Sequence, residues 1–332
     1  MLPYPPRSIR RATSHPASRT SRRSGLEGSF TGVVLLAFLL LAPILPGPTA
    51  AQAQTPIRIF ISVDMEGIGG IGTGAMASSS GKDYATGRRL MTDEVNTVVA
   101  AILERGPAEI LVNDSHGDMQ NLLHTELDPR VTYIQGAIKP NGMMEGLDDA
   151  FHGAIFLGYH ARAGTAEGFL AHTGSGAVKG LWINGMESGE GEMNALYAGA
   201  MGVPVLLAAG DQVFVDQFLE NVPGAEGVVT KTAITPQSAH LVHPEVVRSR
   251  LAEGTRRAMD RLAEGHPAGN IQPMSVREPV EVRLRFQDVT RPQILQAVPG
   301  VRQVDGYTVE FTSPSMGEAY RLIRFLYRFV SV

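Results

Sequence analysis

Residues 57–72 read IRIFISVDMEGIGGIG, the clearest strand-and-loop pattern in the chain. Its first seven residues are mostly β-branched or aromatic, which is typical of a strand buried on both faces of a sheet. The strand predicted over residues 57–63 ends directly before Asp64, and a glycine-rich segment with a second acid, Glu66, follows. Because ligands bind at the carboxyl ends of strands in open α/β sheets, this order predicts a functional loop at the sheet edge.

Similar apolar runs recur along the chain, at residues 109–112, 154–159 and 203–208. Helices are predicted between them, at residues 90–103 and 187–201, because apolar side chains share one helical face or a glycine closes the segment. Strands that alternate with helices indicate an α/β fold with a mainly parallel sheet flanked by helices.

The pattern changes after residue 228. The elements predicted there are a helix at residues 244–264, strands at 280–286 and 307–311, and a helix at 315–329. The first of these strands alternates apolar and charged residues, as a half-exposed antiparallel strand does. We therefore predict an α/β domain over residues 54–227 and a smaller C-terminal α+β domain over residues 228–332.

The first 53 residues are predicted to be a secretory signal peptide. Six arginines precede an apolar run at residues 33–45, and small residues lead to a cleavage site after Ala53. The alternative is a retained membrane anchor, but the apolar run is shorter than the roughly 20 residues that span a bilayer. We therefore expect an exported, periplasmic protein without a stable anchor.

Charge and cysteine content exclude several classes of protein. Subtracting the six arginines and one glutamate of residues 1–53 leaves 23 basic and 32 acidic side chains, a net charge of −9. This balance argues against nucleic acid as a partner, because phosphate binding needs a basic surface. The chain has no cysteine, so any metal must be bound by carboxylates, imidazoles or backbone oxygens.

Carboxylates and imidazoles follow three of the predicted strands. Asp64 and Glu66 follow the first strand, His116 follows the second, and His160 follows the third. Each residue alone has an ordinary structural explanation, such as capping a turn. Their coincidence at one sheet edge indicates a metal site, and oxygen and nitrogen ligands together suit zinc, manganese, iron or cobalt.

A series of short motifs begins with Ser-Val-Asp-Met-Glu-Gly at residues 62–67. The later motifs, in chain order, are Asn-Asp-Ser-His-Gly at 113–117, Leu-Asp-Pro-Arg at 127–130, Gly-Tyr-His-Ala at 158–161, Ala-His-Thr at 171–173, Asn-Gly at 184–185, Gly-Glu at 189–190 and Asn-Ala at 194–195. This series resembles that of the DppA-type D-aminopeptidases, peptidase family M55. The resemblance extends over nearly all of the chain from residue 56.

The resemblance implies a site with two zinc ions per chain and a homo-oligomer that encloses its active sites in a ring. The residues that match the family's metal ligands are Asp64, Glu66, His116, His160 and Glu190. Asp64 is the implied bridge between the ions. Glu192 lies close to Glu190 and is the alternative fifth ligand, but the Gly-Glu pair favours Glu190. His172 matches a histidine that takes part in the chemistry and does not bind metal.

The resemblance also implies the reaction: zinc-dependent removal of the N-terminal residue of short peptides, with D-amino acids such as D-Ala accepted. A non-catalytic periplasmic protein that binds peptide or metal on the same scaffold is the alternative. A third hypothesis comes from the pattern G-x-G-x-x-G at residues 67–72, which is the dinucleotide fingerprint. The segment after it is a Gly/Ala/Ser-rich loop and not a helix, so we expect these glycines to allow close backbone approach instead.

Overall fold

The computed structural model describes residues 56–263 and 271–328. The predicted signal peptide lies outside these residues. The described residues form twelve strands: β1 (Ile57–Val63), β2 (Ala108–Asp114), β3 (Thr132–Ile134), β4 (Gly153–Tyr159), β5 (Val178–Ile183), β6 (Met186–Glu187), β7 (Val205–Asp211), β8 (Glu226–Thr235), β9 (Ser238–Leu241), β10 (Val280–Phe286), β11 (Arg302–Gln303) and β12 (Thr308–Ser313). They also form the α-helices α1 (Tyr84–Leu103), α2 (Glu190–Ala200), α3 (Gln212–Asn221), α4 (Pro244–Ala263), α5 (Thr290–Leu295) and α6 (Met316–Arg328).

The larger sheet has seven strands in the order β3-β2-β1-β4-β7-β8-β9. All neighbours in it are parallel except β8 and β9, which form an antiparallel hairpin at one edge. The chain moves outward from β1 through β2 to β3, then returns to β4 on the other side of β1. The junction of β1 and β4 is therefore a topological switch point, where open α/β sheets bind their ligands.

Both faces of β1 are buried, as its sequence predicts. Ile59, Ile61 and Val63 pack in the hydrophobic cluster that contains α1 and α4. Phe60 points to the opposite face, into a second cluster that contains α2, α3, α6 and the smaller sheet. Because side chains of the strand point alternately to these two clusters, both of its faces require apolar residues.

The smaller sheet has five antiparallel strands in the order β11-β12-β10-β5-β6. Strand β10 alternates buried and exposed residues, as predicted for a half-exposed strand. Its partner β5 comes from the middle of the chain. The predicted division at residue 228 therefore does not separate the sheets, because β8 spans this position and β5 lies on the other side of it. Residues Ala53–Val332 group into one compact unit.

The predicted fold class is confirmed: a mainly parallel sheet flanked by helices, with an antiparallel sheet beside it. Helix α1 begins at Tyr84, earlier than the apolar face of residues 90–103 indicated, and α2 begins at Glu190 instead of residue 187. None of the helices in the described ranges has the combination of length and apolar character that crossing a membrane requires.

Candidate metal centre

The carboxyl ends of β1, β2 and β4 place the predicted side chains together. Asp64 directly follows β1, His116 lies two residues after β2, and His160 directly follows β4. The backbone holds these ends in register, because Asp64 N–H donates to Leu157 O at 2.8 Å and Ser115 N–H donates to Val63 O at 2.8 Å. Parallel pairing of the strands thus brings residues that are far apart in sequence together at the switch point.

Two groups of potential ligands share Asp64. One consists of Asp64, Glu66 and His116, and the other of Asp64, His160 and Glu190; the ligand atoms within each group lie within 4.8 Å of one another. In the first, His116 Nδ1 lies 3.1 Å from Asp64 Oδ1 and 2.9 Å from Glu66 Oε2. In the second, His160 Nε2 lies 3.4 Å from Asp64 Oδ2 and 3.6 Å from Glu190 Oε2.

Backbone carbonyls orient both imidazoles. His160 Nδ1 lies 3.0 Å from Ala161 O, and His116 Nε2 lies 2.6 Å from Ala77 O. A carbonyl oxygen only accepts, so each of these nitrogens carries its proton and donates. In the neutral tautomer the other ring nitrogen presents a lone pair to the carboxylates. Metal-binding histidines are commonly fixed by such a bond to a carbonyl oxygen.

A lone pair on a histidine ring nitrogen repels a carboxylate oxygen that faces it, unless a proton or a cation lies between the two atoms. Among the residues that the structure describes, Asp64 Oδ2, Glu66 Oε2 and His160 Nε2 are buried and make no hydrogen bond. Buried polar atoms are otherwise almost always paired, because an unpaired one costs about 1–3 kcal/mol. The donor set of oxygen and nitrogen atoms suits zinc. The residues present therefore fit two metal ions that share Asp64.

The electrostatics of the cluster lead to the same conclusion. Burial and the facing Glu66 carboxylate raise the pKa of Asp64. Burial lowers the pKa of His116 and His160, but the adjacent carboxylates outweigh it and raise both well above the usual value for histidine. Without metal the imidazoles would thus hold protons to offset the negative charge. A divalent cation supplies this charge more effectively.

Glu190 and Glu192 lie in the first turn of α2 but have different surroundings. Glu190 Oε1 accepts from Gly174 N–H at 2.5 Å, which leaves its other oxygen facing His160. Glu192 Oε2 accepts from Gly189 N–H at 2.7 Å and so satisfies the start of the helix. Of these two glutamates, only Glu190 belongs to a potential ligand group in the described ranges.

His172 stacks on His160, with ring centroids 4.1 Å apart. Its Nδ1 lies 2.9 Å from Leu170 O, so its Nε2 faces the cluster, 3.7 Å from Glu190 Oε1 and 4.0 Å from Glu66 Oε1. Its side chain is 29% exposed, whereas that of His160 is 1% exposed. His172 thus has the access to solvent and substrate that proton transfer requires. The same position would also allow it to bind metal with Glu66 and His160.

A buried polar network holds the loop that follows β1. Lys231 Nζ donates to Glu66 O at 2.5 Å and to Ile71 O at 2.7 Å, and Glu94 Oε1 accepts from Gly69 N–H at 2.7 Å. Burial lowers the pKa of Lys231 to about 7 and raises that of Glu94 to about 8. These contacts fix the backbone of Glu66, although neither residue belongs to a motif recognised in the sequence.

The glycines of residues 67–72 are followed by a 3₁₀ helix of only three residues, Gly74–Met76, and not by an α-helix, because α1 begins only at Tyr84. This arrangement lacks the helix N-terminus on which the dinucleotide fingerprint depends. Instead Gly67 lies against β4, where its N–H donates to Gly158 O at 2.7 Å. A Cβ at this position would come within 1.9 Å of Tyr159 O. The glycine therefore permits the close approach of the Glu66 loop to the His160 strand.

The cluster opens into a cavity of about 130 Å³. Its wall includes residues that the motifs did not indicate: Met119, Met143, Arg324, Tyr327 and Arg328. The two arginines and Tyr327 lie on α6, far from the other site residues in sequence. Arg324 could have been singled out from the sequence, because it is a charged residue on the apolar, buried face of this amphipathic helix. A larger depression of about 670 Å³ on the smaller sheet includes none of the clustered residues.

An α/β sheet that carries buried carboxylates and imidazoles at its switch point, around an open cavity, defines a metal-dependent hydrolase. The M55 peptidase family model, described as D-aminopeptidase, matches residues 57–325. A D-aminopeptidase of Bacillus subtilis (strain 168) is 34% identical over 266 residues, which cover 80% of this chain and 94% of that protein. The chain therefore belongs to the M55 D-aminopeptidase family, and it is a metallopeptidase.

A solved structure shows the same likeness. The structure described as a Zn-dependent D-aminopeptidase DppA from Bacillus subtilis, a self-compartmentalizing protease, superposes with a TM-score of 0.77 at 34% sequence identity. The match covers 81% of this chain and 96% of that chain. The likeness thus extends over both sheets and not only over the clustered carboxylates and imidazoles.

The close approach at Gly67 can be tested by stability. We expect Gly67→Ala to lower the free energy of unfolding by about 1–3 kcal/mol, because the added methyl group overpacks against β4. Gly176→Ala is the matched control, since a Cβ there meets no atom within 4 Å. Its effect should stay within about 0.5 kcal/mol. Urea unfolding measures both, and a Gly67→Ala protein as stable as wild type would contradict this role.

Proposed function

We propose that this chain is a zinc-dependent aminopeptidase that removes the N-terminal residue, including D-residues, from short peptides. The observation that carries the proposal is the pair of ligand groups that share Asp64. Membership of the D-aminopeptidase family and the zinc dependence stated for the Bacillus structure support it. The ligands would be Asp64, Glu66, His116, His160 and Glu190, with Asp64 bridging two ions.

Bound zinc would lower the pKa of a water molecule towards neutrality and polarise the peptide carbonyl. The protein supplies the remaining parts of the reaction. Leu170 O holds Nδ1–H of His172 and thereby directs Nε2 into the cavity. This nitrogen can carry a proton to the departing amine. Asp64, Glu66, His160 and Glu190 are buried, so electrostatic interactions among them are screened less than at the protein surface.

Metal content and turnover of three variants test the ligand assignment. We expect wild type to bind about two zinc ions per chain, as two-metal hydrolases do. Glu190→Gln should lose metal and activity together, whereas Glu192→Gln should keep both because this residue bonds only the helix start. His172→Ala should keep its zinc and lose turnover. Elemental analysis and an assay with D-Ala-p-nitroanilide provide these readouts.

Two results would contradict the assignment. Loss of zinc from Glu192→Gln, with Glu190→Gln unaffected, would show that Glu192 and not Glu190 is the metal ligand. Loss of zinc from His172→Ala would make this histidine a ligand, as its distances to Glu66 and Glu190 permit. Metal binding by wild type without turnover of any peptide would favour the alternative of a binding protein.

Stereochemistry is tested with matched peptides. We expect D-Ala-containing dipeptides and tripeptides to be hydrolysed faster than their L-forms, because the chain belongs to the D-aminopeptidase family and a chiral pocket aligns one enantiomer for attack better than the other. The measurement is kcat/KM for each enantiomer at the same zinc concentration. Equal or reversed values would contradict a D-specific function but not the metal site.

We also propose that the chain is exported to the periplasm and assembles into a closed homo-oligomer. The arginine-rich start and the apolar run at residues 33–45 support export. The description of the Bacillus structure as self-compartmentalizing supports assembly. Protein purified from a periplasmic fraction should begin at Gln54 and show a mass of several chains by light scattering. A chain that retains residue 1 would contradict cleavage, and a monomer would contradict enclosure of the sites.

A further inference from the structure

Helix α6 brings two positive charges to a cavity that is also lined by three carboxylates. Asp64, Glu66 and Glu190 line one side of the cavity, and Arg324 and Arg328 line another. The two arginines lie four residues apart and so project from neighbouring turns of the same helix. The cavity is therefore polarised, with anionic and cationic walls.

Arg324 is fixed and buried. The residue is only 6% exposed. Its Nη1 donates to Pro140 O at 2.7 Å and to Lys139 O at 3.2 Å. Its Nε is buried and has no hydrogen-bond partner in the described part of the chain. The guanidinium lies so close to Gly142 that a Cβ there would overlap it. A buried cationic donor without a partner at a cavity wall points to an anionic ligand.

Arg328 lies at the mouth of the same cavity and is exposed. Within the described ranges its guanidinium makes one long hydrogen bond, from Nη2 to Gly117 O at 3.3 Å, and Gly117 directly follows the predicted ligand His116. The guanidinium is thus near the reaction centre but retains donors for a ligand. Its planar fork matches the two oxygens of a carboxylate.

We propose that Arg328, supported by Arg324, binds the C-terminal carboxylate of the peptide substrate. This inference rests on the proposed function and narrows it to peptides of two or three residues with a free carboxyl end. A sphere with the volume of this cavity is about 6 Å across, and an extended chain advances about 3.3–3.6 Å per residue. The carboxylate therefore lies one or two residues beyond the bond that is cleaved.

Charge complementarity supports the same placement. Two divalent cations would offset the charge of Asp64, Glu66 and Glu190, so the arginines of α6 leave this cavity with positive charge that attracts a carboxylate. The carboxylate of a longer chain would lie beyond the arginines.

The test compares D-Ala-D-Ala with its C-terminal amide, using zinc-loaded full-length mature protein. We expect wild type to show a kcat/KM about tenfold or more higher for the free acid. Arg328→Gln should lower kcat/KM for the acid about ten- to a hundredfold, mainly through KM, because a charge-assisted hydrogen bond is lost. Its kcat/KM for the amide should remain within about twofold of wild type.

Two further variants separate recognition from general effects. Arg321→Gln removes an exposed arginine from the same helix, outside the cavity wall, and should not change either substrate. Arg328→Lys should recover part of the preference for the acid, because it restores the charge but not the fork. Such a graded recovery would not follow from a purely structural role.

Several outcomes overturn the inference. They are equal losses for acid and amide in Arg328→Gln, the same effect from Arg321→Gln, and wild-type turnover of the amide as fast as the acid. In each of these cases the enzyme still hydrolyses peptides, so the proposed function stands. Hydrolysis of neither peptide by the wild-type protein would overturn the proposed function and the inference together.

Discussion

The structure depends on the neutralisation of three carboxylates that are buried together. Asp64, Glu66 and Glu190 are each less than 8% exposed and converge at one sheet edge. Two unit charges of the same sign at about 4.8 Å repel by about 3–4 kcal/mol, even at an effective dielectric constant of about 20. Folding into this arrangement is therefore unfavourable unless positive charge is bound there. The imidazoles of His116 and His160 are oriented to share a metal ion with these acids.

The fold meets this constraint through its topology. Because β1 and β4 are neighbours while their connections run in opposite directions, the loops after them diverge and leave space for ligands. Gly67 allows the loop of Glu66 to lie directly against β4, and Lys231 fixes that loop from β8. The second sheet and α6 then cover the opposite side. The cavity is thus formed by a rigid parallel sheet and a helix from the end of the chain.

Local sequence was sufficient to predict part of the fold and part of the site. Buried parallel strands are readable because both faces are apolar, and their ends can be located from the first polar residue, as with Asp64. The distinction between Glu190 and Glu192 required the resemblance to a family, and the structure shows a physical difference between them. Both lie in the first turn of α2, so helical periodicity alone does not separate them.

Other features depend on contacts between distant residues, which periodicity does not encode. The pairing of β5 with β10 joins residues about a hundred positions apart, so the change of pattern after residue 228 did not correspond to a boundary between sheets. Arg324 and Arg328 reach the cavity only because α6 packs beside α2. The burial of Lys231 and Glu94 could not be predicted from the sequence either, since each residue alone resembles an ordinary surface charge.

The most direct test of the central claim is a crystal structure of the zinc-loaded protein with anomalous scattering data collected at the zinc absorption edge. We predict two peaks on either side of Asp64, about 3.5–4 Å apart, one beside Glu66 and His116 and the other beside His160 and Glu190. A single peak that does not contact Asp64, or no peak at this sheet edge, would contradict the shared-carboxylate site on which the function rests.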